Sequence, residues 1–149
     1  MAKKTKQKTK KPEQTNPSCI FCKIIKGEIP SAKIYEDKQI LGFLDINPAN
    51  KGHALVIPKK HYETLNNMPE KETMKLIQII QKVSQKIEKT LNPEGYNILM
   101  SNKPAAEQVI PHAHIHIIPR YTTDPFKLTW THVRYEPEEI QQLAKKLKI

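Results

Sequence analysis

Between residues 20 and 120 the apolar positions fall into short runs bounded by turn formers, with one longer stretch where they recur every three or four residues. In that stretch, from residue 69 to about 91, Leu76, Ile80, Val83, Ile87 and Leu91 keep helical spacing, and Lys75, Gln78, Lys82, Gln85 and Lys89 take the other faces. The spacing predicts a helix about 33 Å long, enough to cover one face of a small sheet, ended by Pro93-Glu94-Gly95. The short runs predict five strands, over 33–36, 39–46, 53–57, 96–100 and 112–118. Glu36-Asp37-Lys38 is a tight reversal that makes the first two a hairpin. Ile20, Ile24 and Ile25 mark a short helix closed by Gly27, and Pro137 opens an amphipathic C-terminal helix through Leu143 and Leu147. Strands this short and turn-bounded fit an α+β fold, an antiparallel meander of five strands with one long helix packed on it.

The fifth strand is unusual. Three of the six histidines stand in it at alternate positions, so His112, His114 and His116 share one face and Ala113, Ile115 and Ile117 the other, neighbouring imidazoles being about 6.6 Å apart. A strand needing only a polar face is better served by Thr, Lys or Glu, because adjacent imidazoles repel one another once protonated near pH 6.5. A solvated face and a three-histidine metal site compete with a third reading, nucleophilic chemistry. Histidine attacks phosphorus when one ring nitrogen is unprotonated and a partner holds the other, and a neighbouring histidine can orient it or supply a proton.

Composition narrows the setting. A chain of 149 residues with 38% hydrophobic content suits one domain with a tail. It has no run of about 18 apolar residues and no apolar N-terminal stretch, which points to the cytoplasm without a membrane contact. The formal charge of +10 is uneven: residues 1–11 hold six lysines and no acid, leaving 19 basic against 15 acidic side chains elsewhere. Residues 1–17 therefore read as a disordered Lys-rich tail and linker, capable of weak polyanion contact by counterion release. The two cysteines, in Cys19-Ile20-Phe21-Cys22, exclude a disulfide scaffold by count. In a reducing compartment this spacing suits a metal site, a redox pair or two buried thiols.

His112-Ala113-His114-Ile115-His116-Ile117-Ile118 resembles the histidine-triad signature of the HIT family of nucleotide hydrolases and transferases. Two further segments are similar to the family. Phe43-Leu44-Asp45-Ile46 resembles the segment whose Asp binds the ribose hydroxyls and whose apolar neighbours pack on the base, and Gly52-His53-Ala54-Leu55-Val56-Ile57-Pro58-Lys59-Lys60-His61 resembles the strand carrying a fourth active-site histidine, here His53. Ser101, Asn102 and Gln108 fall where the family sets polar groups against phosphate. The resemblance implies a two-step reaction on a purine nucleotide. His114 attacks the α-phosphorus, His116 stabilises the phosphoryl oxygens, His112 orients, and water releases the nucleoside monophosphate.

It further implies a domain over 18–122 with a C-terminal extension over 123–149, a homodimer, and a structural zinc on Cys19, Cys22, His61 and His112, as in one branch of the family. The activity implied is hydrolysis of purine nucleoside 5′-phosphoramidates or related conjugates. A dinucleoside polyphosphate hydrolase, a nucleotidyl transferase, a nucleotide-binding module with little turnover and a basic-tailed RNA-associated protein are the other readings. Two positions depart from the pattern. Val109 stands where a small hydroxyl residue contacts the leaving group, and Glu107 stands where a glycine lets the backbone approach phosphate.

Overall fold

Which face of each strand is apolar decides how the layers stack. In a computed structural model describing residues 15–149, β1 (Lys33–Glu36), β2 (Ile40–Leu44), β3 (Ala54–Pro58), β4 (Gly95–Leu99) and β5 (Ile115–Arg120) form one antiparallel sheet. The helices are α1 (Ile20–Lys26), α2 (Glu70–Leu91) and α3 (Glu139–Leu147). Most of the expected Lys-rich tail, residues 1–14, lies outside the described residues.

β3 is buried along its whole length because both its faces are covered. Ala54 and Val56 join Ile40, Ala113, Ile115 and Ile117 against Leu76, Ile79, Ile80, Val83 and Ile87 of α2. On the opposite face Leu55 and Ile57 join Leu41 and Phe43 against Cys19, Phe21, Cys22 and Ile24 of the α1 segment. Each such aliphatic side chain contributes about 1.5–3 kcal/mol when fully buried. The ends of α2 suit its dipole, with Glu70 and Glu72 in the first turn, Lys89 in the last and Asn92 as a left-handed cap. α1 stops at Gly27, whose φ of 80° lets its N–H reach back to Lys23 and Ile24.

Two expectations are corrected. The sheet is not a meander: its order is β1-β2-β3-β5-β4, so the last strand enters between β3 and β4. α2 carries the chain across the face, which leaves a gap next to β3. The gap takes the more buried strand, whose Ile115 and Ile117 pack towards α2 and whose Ile118 is buried on the opposite face, whereas β4, with Tyr96 and Ile98 exposed, suits an edge. The histidine strand also begins later than its pattern suggests, at Ile115. Ahead of it the backbone makes other bonds: the His112 N–H donates to the Ile110 carbonyl and the Ala113 N–H to that of Tyr62. Only His116 lies within β5.

Candidate active site

The site lies on the α1 face of the sheet. Strand parity puts it there: Phe43 and Asp45 follow Leu41 at alternate positions of β2, and His53 precedes Leu55 and Ile57 of β3 in the same way. Leu55 pairs with His116 of β5, and the backbone N–H of Asp45 donates to the His53 carbonyl, extending the β2–β3 ladder to the site.

Backbone partners fix the histidine tautomers. His114 Nδ1 lies 2.6 Å from the His112 carbonyl, an acceptor only, so Nδ1 carries the proton and Nε2 keeps its lone pair. The Ala49 N–H donates to His53 Nδ1 at 3.1 Å, which leaves the proton on His53 Nε2. That nitrogen donates to His116 Nδ1 at 2.8 Å, so the His116 proton sits on Nε2. The rings of His114 and His116 are 5.0 Å apart. Neighbouring rings thus offer one unprotonated nitrogen and one N–H donor, the two groups that attack on phosphorus and stabilisation of its oxygens require.

Electrostatics keep the cluster neutral. Burial lowers all four rings below the ordinary histidine value. For His116 burial acts with His114 and His53 to bring it to about 4. The His112 carbonyl opposes the shift at His114, and Asp45 opposes it at His53, His114 and His116. Phe21, which the sequence reading passed over, sets its ring edge-on to His112, His114 and Phe43 at 5.8, 5.2 and 5.7 Å. Its only signal was an aromatic between two candidate metal ligands.

The predicted nucleotide-binding residues divide. Asp45 uses one carboxylate oxygen to cap the turn at the Asn47 N–H, 2.8 Å away, and holds the other 3.8 Å from His53 Nε2. Ile46 is 88% exposed and free to meet a flat ligand, whereas Phe43 is buried. Gln108 is occupied by its own loop and by a distant one: its Oε1 accepts from the Lys103 N–H and its Nε2 donates to the Glu63 carbonyl, both at 2.6 Å. Asn102 accepts from the Leu65 N–H at 2.8 Å, and Ser101 is half-buried beside it. Glu107 is exposed with φ 63°, the left-handed region that favours glycine, and Val109 is 89% exposed. Arg120 is bound within the chain: it forms a two-pronged pair with Asp124 at 2.9 and 3.0 Å and donates to Asn97.

Cys19, Cys22, His61 and His112 converge behind the triad, with one donor atom from each within 4.8 Å of the others, and could hold a metal ion. His112 Nε2 donates to the Pro58 carbonyl at 2.8 Å, which turns its unprotonated Nδ1 towards Cys19 Sγ at 3.5 Å and Cys22 Sγ at 3.7 Å. His61 Nδ1 is 3.5 Å from Cys22 Sγ. The Asn16 N–H points at Cys22 Sγ from 3.4 Å, a contact that suits a thiolate. Burial raises the Cys22 thiol, so without a cation that sulfur stays protonated.

The sheet face aligns four histidines in fixed tautomers, an arrangement that can supply an imidazole nucleophile. Comparison with known proteins agrees: residues 26–123 match the HIT domain. Adenosine 5′-monophosphoramidase hnt1 of Schizosaccharomyces pombe is 40% identical over 131 residues, covering 87% of this chain and 96% of the relative. The crystal structure of a HIT family member from Bacillus subtilis superposes with a TM-score of 0.82 at 41% identity, covering 87% of this chain and 94% of that one. A zinc-bound histidine triad family protein from Mycobacterium smegmatis gives 0.70 at 34% identity, covering 83% and 86%. The chain belongs to the HIT family. No helix among the described residues is long and apolar enough to cross a membrane.

Proposed function

We propose that this protein hydrolyses purine nucleoside 5′-phosphoramidates or related nucleotide conjugates through a nucleotidyl intermediate on His114. The observation that carries the reading is the bond from His114 Nδ1 to the His112 carbonyl, which leaves Nε2 free to attack. The attack forms an Nε2–P bond and breaks the bond from phosphorus to the leaving nitrogen, which departs as an amine after taking up a proton. The His116 Nε2–H stabilises the phosphoryl oxygen charge. Water then attacks the same phosphorus, releasing nucleoside monophosphate and returning the electron pair to His114. Asp45 and Ile46 receive the ribose and base, with Phe43 beneath them, while Ser101, Asn102 and Gln108 shape the loop on the phosphate side. The name of the fission yeast relative supports this substrate class.

Zinc is the proposed occupant of the cysteine–histidine group. Bonds of about 2.3 Å to sulfur and 2.0–2.1 Å to nitrogen give a tetrahedral site S···N edges of about 3.6 Å, and the three measured here are 3.5, 3.5 and 3.7 Å. Four protein ligands leave no open position, so the ion pins the α1 segment to the sheet and takes no part in the reaction. We also propose residues 18–122 as the working domain with 123–149 as an extension. A homodimer, supported by exposed Tyr96 and Ile98 on edge strand β4, a cytoplasmic location and weak polyanion contact through the Lys-rich tail complete the proposal.

A second reading is a nucleotide-binding module with little turnover, favoured by the absence of a hydroxyl at Val109 and by the carboxylate of Glu107. Steady-state release of nucleoside monophosphate from an adenosine 5′-phosphoramidate, a dinucleoside polyphosphate and a nucleotide sugar separates the readings. Preferential release from the phosphoramidate supports the hydrolase proposed here, a preference for the dinucleotide moves the substrate class, and nucleotide binding without release favours the module.

A further inference from the structure

The His53 ring is held between the Ala49 N–H on its Nδ1 and the Asp45 carboxylate 3.8 Å from its Nε2, and the residue after Ala49 is clamped from outside the site. Asn50 Nδ2 donates to the Pro119 carbonyl of β5 and to Asp124 Oδ2, each at 2.9 Å. The Asn50 carbonyl also accepts from the His53 N–H at 3.0 Å. Asp124 is a firm anchor. Its carboxylate is buried and accepts from Arg120 Nε, Arg120 Nη2 and the Tyr121 N–H as well as from Asn50. Arg120 is held in turn by Asn97 of β4 and by the Phe126 ring, 4.6 Å beneath its guanidinium. The loop before β3 is thus tied to the end of β5, four residues beyond His116.

We propose that Asn50 is a positioning residue for the histidine pair. By holding the loop against β5 through Pro119 and Asp124 it keeps the Ala49 N–H on His53 Nδ1, and so directs a proton from His53 Nε2 to His116 Nδ1. His116 Nε2–H is then left as the donor facing the nucleophile. Without the Asn50 amide the loop tip loses two bonds, Ala49 shifts, and both rings exchange between tautomers. In half of those states the His116 nitrogen that faces the substrate presents a lone pair to a phosphoryl oxygen. The catalytic consequence rests on the hydrolase reading above; the tautomer consequence does not.

The test uses the full chain labelled with 15N and read, without nucleotide, by long-range proton–nitrogen correlation of the imidazoles. The wild type should show His53 and His116 each protonated at Nε2 and unprotonated at Nδ1. Asn50→Ala should show averaged nitrogens at both rings, and kcat lowered about tenfold with KM held within about twofold. Asn50→Ser, which keeps one donor, should recover part of both effects and serves as the readout should Asn50→Ala fail to fold. Thr122→Ala, which removes a hydroxyl bonded to Glu94 in the same post-β5 turn, is the control for plain destabilisation. Unchanged tautomers in both Asn50 variants, or the same averaging in Thr122→Ala, would overturn the proposal. Fixed wild-type tautomers that average in Asn50→Ala, in a protein that releases no nucleotide product, would support the positioning role and sink the hydrolase reading alone.

Discussion

Replacing His116 with glutamine should flatten the response of this protein to acid. Burial together with His114 and His53 brings His116 to about 4, whereas an imidazole in an unfolded chain titrates near 6.5. The folded state keeps the ring neutral over an interval in which the unfolded state takes up a proton. The stability arising from this difference is present in full above about pH 6.5 and drains away as the pH falls towards 4. Between about pH 7 and pH 4.5 those two values give a loss of about 2 kcal/mol from this ring alone. Glutamine keeps an oxygen acceptor for the His53 Nε2–H and cannot titrate. Urea unfolding of zinc-loaded wild type and His116→Gln across that range reads the effect, because proton uptake by the metal ligands is common to both and cancels. Glutamine itself shifts the curve by a constant, so the pH dependence of the difference is the quantity of interest. The wild type should lose about 2 kcal/mol more than the variant on acidification. Parallel curves would show that His116 titrates as an exposed imidazole, and the neutral site inferred here would be wrong.

The metal, the turn before β3 and the loop before the triad each give a further expectation. The wild type should retain about one zinc per chain by atomic spectroscopy after exhaustive dialysis, and Cys22→Ser well under half of that. Gly52 has φ 89°, and an added Cβ would press on Leu91 and lie 3.3 Å from Pro119. The half-exposed Leu91 can rotate away, so Gly52→Ala should cost about 2 kcal/mol, mainly backbone strain, and lower Tm by about 5 °C in a thermal melt. In Glu107→Gly, relief of about 1 kcal/mol of left-handed strain is offset by the larger entropy of glycine in the unfolded chain. Stability should therefore stay within about 1 kcal/mol of wild type, while KM for a phosphoramidate at low salt falls about threefold as the carboxylate is lost.

Much of the site was legible because strands obey parity. The alternation in the triad put His112, His114 and His116 on one face, Asp45 and His53 came from the resemblance of their segments, and α2 was bounded to within a residue by its apolar repeat and by Pro93-Glu94-Gly95. The strand order was not, because β4 and β5 both read as apolar strands, and which one sits inside is settled only when they compete for burial next to β3. His112 and His114 kept the parity of a strand ahead of its ladder, where the His112 N–H bonds to Ile110 and the Ala113 N–H to Tyr62 instead. The groups that set the tautomers are the carbonyls of His112 and Pro58 and the N–H of Ala49. Every residue carries such groups, so a sequence gives no sign of which ones matter. Gln108 resembled a phosphate contact by position, yet its amide is held by Lys103 and Glu63, contacts that depend on how distant loops meet.

The most direct measurement is single-turnover incubation of the purified protein with an adenosine 5′-phosphoramidate labelled at phosphorus, quenched in time and digested to locate the label. Wild type should carry label on His114 transiently, with AMP released as the adduct decays, and His114→Ala should show neither. AMP release without an adduct, or release that survives His114→Ala, would contradict a nucleophilic His114.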